Sequence, residues 1–264
     1  CGSLVCERGF FYKPMQCGPR GERERDFYEK LTARMAGGSE CSGSGNEDDG
    51  ECVDASSLQV LSGFVPKFFG LVDLNGVTYM KMEDLARQYR FPCIMDVKIG
   101  FRTWYASADE AHIQKWMKKD AATTTSSLGF KVCGMQVYNK EDKEYWKASK
   151  KWCKTLDAYS VRSALRQFVT HPDVSTNDIY CGQGGLQQQL ESLEQWAGEQ
   201  KHFHFYSASV LILYEGDATC PEDINVNVKI IDFAHTMEAC GKKDKNFVSG
   251  LASFRANLDK ICDS

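Results

Sequence analysis

The sequence predicts an α+β chain in two lobes, a small β-rich N-terminal lobe and a larger mixed C-terminal lobe. Three observations lead there. Two apolar, β-branched runs, residues 92–100 and 226–236, read as buried strands with charge at fixed places. Two stripes at helical spacing lie in the C-terminal half, over 155–169 and 186–200. A length of 264 residues can bury a sizeable core, so one compact two-lobed unit is expected rather than separate domains.

Taken in order, Gly2 and Gly9 bracket a short first hairpin, and a helix is expected from about Arg23 to Met35. Residues 36–57 hold Gly, Ser, Asn, Asp and Glu with almost nothing to bury, which predicts a mobile loop. Strands follow near Phe68 to Met82. The N-lobe is placed at 1–84 and the C-lobe at 85–264. Ser107-Ala108-Asp109-Glu110 reads as a capping box opening a helix to about Asp120. On it, His112, Lys115 and Lys119 fall at i, i+3 and i+7 as a basic face beside apolar Ile113, Trp116 and Met117. Thr155 to Val169 reads as one capped helix with Val161, Leu165 and Phe168 inward. Leu186 to Gln200 reads as another, striped by Leu186, Leu190, Leu193 and Trp196, and both stripes are core. Ser207 to Tyr214 and Val226 to Phe233 read as an antiparallel pair.

Twelve cysteines at irregular spacing, with no Cys-x-x-Cys pair, read as reduced thiols in a cytoplasmic or nuclear protein. Zinc held by cysteine with His202 or His204 lacks the ligand spacing. No apolar run reaches the length of a membrane span and no secretory signal is visible. The chain starts at Cys1, which leaves a preceding segment open.

The chemistry concentrates in the two strand runs. Asp96 and Lys98 stand two apart, so an extended backbone projects both to one face. A carboxylate there orients a hydroxyl or a sugar, and an ammonium holds a phosphate. A surface ion pair is the plain alternative, but Ile94, Met95, Val97 and Ile99 around the two charges argue for a buried strand with a task. The second run ends in Asp232 with His235 three residues on. A carboxylate ending an apolar strand can hold magnesium against a nucleotide, although a lone Asp there is more often a turn residue.

Pro92, Asp96, Lys98 and Gly100 at this spacing, followed much later by Ile231-Asp232-Phe233, resemble the inositol polyphosphate kinase family. Lys13-Pro14 with the Arg20–Glu29 segment looks like the family's N-terminal lysine and its helix. Tyr79–Leu85 looks like the hinge. Phe205–Leu211 is similar to its Ser-Ser-Leu-Leu strand, with Ala208 and Val210 as departures. The resemblance implies a protein-kinase-like fold with an ATP cleft between the lobes, and ATP and Mg2+ as cofactors. Lys13 would meet the nucleotide phosphates, oriented by Glu24, and the backbone at Glu83 and Leu85 would hold the adenine. Asp232 would bind the metal, and Lys98 would contact the transferring phosphate and the acceptor. Asp96 would orient the acceptor oxygen or hold the ribose. Arg20, His112, Lys115, Lys119 and His235 would bind substrate phosphates, with the segment 101–127 as the inositol phosphate-binding region. His112 stands where relatives often carry a basic residue.

No Gly-x-Gly-x-x-Gly or Walker sequence is present, as in the family it resembles. A net charge of −4 cannot attract a polyanionic substrate globally, so a local basic cluster must do so. The block Cys133-Gly134-Met135-Gln136-Val137-Tyr138 resembles inositol hexakisphosphate kinases. The main expectation is therefore a kinase that forms an inositol pyrophosphate and also phosphorylates less substituted inositols. A multikinase acting on inositol tris- and tetrakisphosphate hydroxyls is the alternative. A non-catalytic inositol phosphate-binding module is the alternative of another class, opposed by Asp96, Lys98 and Asp232. The stretch from Phe101 to Leu128 is too short for the insert of trisphosphate 3-kinases. The expected partner is an inositol polyphosphate, with no nucleic acid, no membrane span and a monomeric chain.

Overall fold

The computed structural model describes residues 5–7, 9–36 and 55–262. Strands β1 (Val5–Glu7) and β2 (Phe10–Pro14) pair about a turn containing Gly9, whose φ of +83° favours glycine. Gly2 lies outside the described residues. Helix α1 (Pro19–Ala36) starts four residues before the expected Arg23. Its first residue is a proline, whose missing N–H is one the first helical turn does not use. Most of the loop expected over 36–57 lies outside the described residues, and its last residues open α2 (Ala55–Gly63), a helix the sequence reading did not foresee. Strands β3 (Phe68–Leu74) and β4 (Val77–Glu83) complete an antiparallel sheet of order β1-β2-β4-β3.

A second sheet starts at β5 (Pro92–Ile99), which alternates strictly. Met95, Val97 and Ile99 are fully buried on one face, while Ile94, Asp96 and Lys98 share the other. Of the four apolar residues expected around the charges, only Ile94 is on their side. Helix α3 (Glu110–Ala121) is capped by Asp109, whose Oδ1 accepts from the His112 N–H at 2.9 Å. The N-cap is therefore Asp109 rather than Ser107, two residues later than the capping box predicts. After α4 (Thr125–Leu128), β6 (Phe130–Asn139) and β7 (Glu144–Lys147) extend the sheet.

The helix expected over 155–169 is two helices, α5 (Lys150–Thr155) and α6 (Ser160–Val169). Leu156 turns extended and buries its side chain, and Asp157 Oδ1 restarts the helix by accepting from the N–H groups of Tyr159 (3.0 Å) and Ser160 (2.7 Å). Val161, Leu165 and Phe168 are buried. Then come α7 (Thr176–Cys181) and α8 (Leu186–Glu199), the latter with its four-residue stripe buried. β8 (Phe203–Phe205), β9 (Ser209–Glu215), β10 (Asn227–Ile231), β11 (Thr236–Glu238) and α9 (Lys245–Cys262) close the chain. The larger sheet has order β10-β9-β5-β6-β7, all antiparallel, and β8 pairs with β11. Helix α9 covers β5 and β6, with Phe254 edge-on to Phe130 at 5.1 Å. Among the described residues no helix is long and apolar enough to cross a membrane.

Candidate active site

Three elements converge on one ammonium. Lys13, on β2, places its Nζ 2.8 Å from Glu24 Oε1 on α1 and 2.7 Å from Asp232 Oδ1 just past β10. Glu24 is 1% exposed and also accepts from the Phe233 N–H at 3.2 Å, so it ties both partners together. Aromatic packing fixes the approach: Phe27 of α1 stacks on Phe233 at 3.9 Å, and Tyr28 meets Phe233 edge-on at 5.3 Å. Asp232 sits at φ +68°, a left-handed conformation that aspartate tolerates better than most residues. Burial works to lower the Lys13 pKa, but the two carboxylates overcome it and push it up to about 12. Burial works to raise the Asp232 carboxyl, yet Lys13 and Lys98 hold it below its ordinary value.

Beside this cluster, between the two sheets, lies a largely apolar cavity of about 440 Å³. Met82, Leu85, Ile94, Leu211 and Leu213 are in its wall, together with Lys13, Glu83, Asp96 and Asp232. The Glu83 N–H is committed to the Lys67 carbonyl at 2.8 Å, so it is not available to an adenine edge. Asp96 Oδ1 is buried without a hydrogen-bond partner, and burial pushes its carboxyl above the ordinary value.

A second cavity, of about 330 Å³, has basic walls: Arg20, Lys98, Lys119 and Lys131, with Trp116 and His235. Asp232 lines it as well as the apolar cavity, whereas Asp96 lines only the apolar one of these two. Lys98 Nζ donates to the Ser207 carbonyl, and Ser207 Oγ donates to the Thr103 carbonyl at 3.1 Å. Thr103 in turn gives its N–H (2.9 Å) and Oγ1–H (2.7 Å) to the buried Asp120 at the end of α3. Trp116 meets His235 edge-on at 4.8 Å. Burial, then the nearby cations Arg20, Arg23 and Lys98, bring the His235 pKa down to about 4, so its ring is neutral at neutral pH.

The fold thus brings together Lys13, Glu24, Asp96, Lys98 and Asp232, with Glu83 and Leu85 on the apolar cavity and Arg20, Lys119 and His235 on the basic one. His112 lies in an adjoining cavity, and Lys115 is exposed and lines none of the three. The sequence reading missed Arg23, Trp116 and Lys131. Arg23 was readable, being three residues from Arg20 on one helix face. Trp116 was taken as apolar face, and Lys131 carried no signal, since its orientation depends on a bulge.

Among the described residues no group of three or more His, Cys, Asp or Glu side chains is placed to hold a metal. Asp232 suits a magnesium ion that takes the rest of its ligands from phosphates and water, and Asp96 lines the same apolar cavity.

A family model, inositol polyphosphate kinase, matches residues 79–259. Inositol polyphosphate multikinase alpha of Arabidopsis thaliana is 35% identical over 279 residues, covering 100% of this chain and 91% of its own. Inositol hexakisphosphate kinase 3 of Mus musculus is 32% identical over 170 residues, 60% of this chain and 42% of its own. Among solved structures, the inositol phosphate multikinase Ipk2 of S. cerevisiae, in complex with ADP and Mn2+, superposes with a TM-score of 0.73 at 20% identity, over 96% of this chain and 99% of that one.

Proposed function

The chain belongs to the inositol polyphosphate kinase family, and we propose that within it the chain is a multikinase, transferring phosphate from ATP to hydroxyls of inositol tris- and tetrakisphosphates. One observation carries the reading: Asp232 lines both the apolar cavity, suited to a nucleotide, and the basic cavity, suited to a polyanion. The transferring phosphate would sit where they meet.

The similarity to a multikinase covers 100% of this chain, against 60% for the hexakisphosphate kinase that Gly134–Tyr138 resembles, and this supports the multikinase reading. That block builds β6: Met135 and Tyr138 are buried, and Gln136 Nε2 donates to the Pro92 carbonyl at 2.9 Å. It lies on a strand flanked by β5 and β7, and none of its residues lines the basic cavity. A resemblance there reports packing more than acceptor choice.

In the proposed reaction the acceptor oxygen bonds to the terminal phosphorus as the bond to ADP breaks, ADP leaves with the bonding electron pair, and the hydroxyl's proton passes to solvent water. Lys98 is placed to neutralise charge on the moving phosphoryl group. Its direction is set by the Ser207 carbonyl. Lys13, held by Glu24, would turn to the nucleotide phosphates. Asp232 would hold the magnesium, which would supply positive charge against those phosphates. Asp96, on the apolar cavity alone of the two, would serve the nucleotide side, its unpartnered oxygen accepting a ribose hydroxyl or a metal-bound water.

Incubation with ATP, Mg2+ and a panel of inositol phosphates, with products separated by chromatography, tests the reading. Tris- and tetrakisphosphates should gain phosphates. A product more phosphorylated than hexakisphosphate would restore the pyrophosphate reading. No magnesium-dependent turnover would leave a binding module.

A further inference from the structure

The basic cavity continues past the Trp116–His235 contact. An adjoining cavity of about 370 Å³ shares Arg20, Trp116 and His235 with it and adds Arg23, His112 and Tyr105. Its charge is unbalanced. Arg23 is half-buried, and its Nη1 donates only to neutral acceptors, the Tyr105 hydroxyl (3.1 Å) and the Ala234 carbonyl (3.5 Å). Among the described residues neither Arg20 nor Arg23 has a carboxylate within ion-pair distance, although Arg25 on the same helix has two, Asp26 and Glu29. The one carboxylate in this cavity, Asp109, is engaged by α3: it caps the helix and faces His112 Nδ1 at 3.5 Å. On the shared wall, His235 Nδ1 is buried with no partner. A half-buried guanidinium without a counter-ion is costly, and a bound anion relieves it.

We propose that this adjoining cavity is a distal-phosphate subsite for the acceptor, anchored by Arg23, and that it favours inositols carrying more phosphates. The inference rests on the multikinase reading, because it is the reacting hydroxyl at Asp232 and Lys98 that sends the far side of the ring past His235. Arg23 presents the planar, bidentate donor geometry that suits a phosphate, where the lysines of the basic cavity act as point charges. Arg20 lines both cavities, so one guanidinium can bridge near and far phosphates.

The test is kinetics of Arg23→Met, with Arg23→Lys as the conservative partner and Arg25→Met as a control for lost charge on the same helix. Arg23→Met should raise the acceptor KM about tenfold, the loss of one charged hydrogen-bonding partner. The KM for ATP should stay put, kcat should change less than about twofold, and Arg23→Lys should recover part of the affinity. The loss should be larger for a tetrakisphosphate than for a trisphosphate. Arg25→Met should leave every parameter unchanged. Equal loss across acceptors, or a joint fall in kcat and ATP affinity, would overturn the subsite and leave a structural role for Arg23. If the unaltered protein turns over no inositol phosphate, the kinase reading fails by itself. Calorimetry with inositol hexakisphosphate then decides the subsite: weaker binding to Arg23→Met supports it, and equal binding defeats it.

Discussion

Lys98 on β5 and Lys131 on β6 stand directly opposite each other across the ladder, two ammonium groups lining one cavity. The pairing comes from a bulge: Asp96 faces Gly134 but Val97 faces Val132, so Cys133 is the extra residue. Without it Lys98 would face Val132, and Lys131 would sit opposite Ile99, on the buried face. Like charges held opposite destabilise a sheet. A bound anion turns the repulsion into affinity.

Lys131→Met should therefore leave the ligand-free protein as stable or more stable, by up to about 1 kcal/mol. It should also shrink the rise in melting temperature produced by an inositol polyphosphate, and raise the acceptor KM. Thermal denaturation with and without ligand checks both halves. A destabilised variant with an undiminished ligand shift would contradict the pairing argument.

Asp232→Asn should fold normally, because asparagine also tolerates the left-handed backbone that Asp232 adopts. It should lose at least about 100-fold in kcat, since it removes the charge expected to hold the metal. Near-normal turnover at saturating magnesium would remove Asp232 from the metal site. Asp232→Ala should lose stability as well as activity.

The helix α3 residues should separate by the cavities they line. Lys119→Ala should raise the acceptor KM several-fold, whereas Lys115→Ala should change it less than about twofold, Lys115 being exposed and outside all three cavities. Lys98→Met should act chiefly on kcat, as an interaction strengthened in the transition state does. An effect of Lys115→Ala as large as that of Lys119→Ala would show that the acceptor lies elsewhere on the helix.

His235 gives the pH dependence. Its pKa falls from 6.5 to about 4 on folding, so between these values the unfolded chain binds a proton that the folded chain refuses. Stability should fall as pH drops from about 6.5 towards 5, and His235→Gln should flatten that slope in denaturant titrations. Asp96 and Asp244, whose carboxyls are raised by burial, oppose it at lower pH. An inositol polyphosphate should raise the His235 pKa, because its charge offsets the surrounding cations, and NMR titration of the imidazole reads this directly. An unmoved pKa would place the anion away from His235.

The sequence by itself determined the two-lobed fold, the strands near Phe68–Met82, β5, β9 and β10, and the Asp96–Lys98 face, because alternation with period two and buried β-branched runs are local properties; it did not foresee β6, β7, β8 or β11. It also singled out Lys13, Glu24 and Asp232, through spacings that resemble one family. It misread the 155–169 helix, where Asp157 restarts a broken turn, and the α3 cap, where Asp109 competes with Ser107. Tertiary structure alone decided that Asp232 borders two cavities and that Asp96 and Lys98, on one strand face, line different ones. It also decided that the Gly134–Tyr138 block lies on an interior strand of the sheet, and that Lys131 lines the basic cavity while Lys115 lines none of the three cavities. The physical reason is register. A single extra residue at Cys133 reverses which face β6 presents, and a strand's own alternation does not contain its partner's.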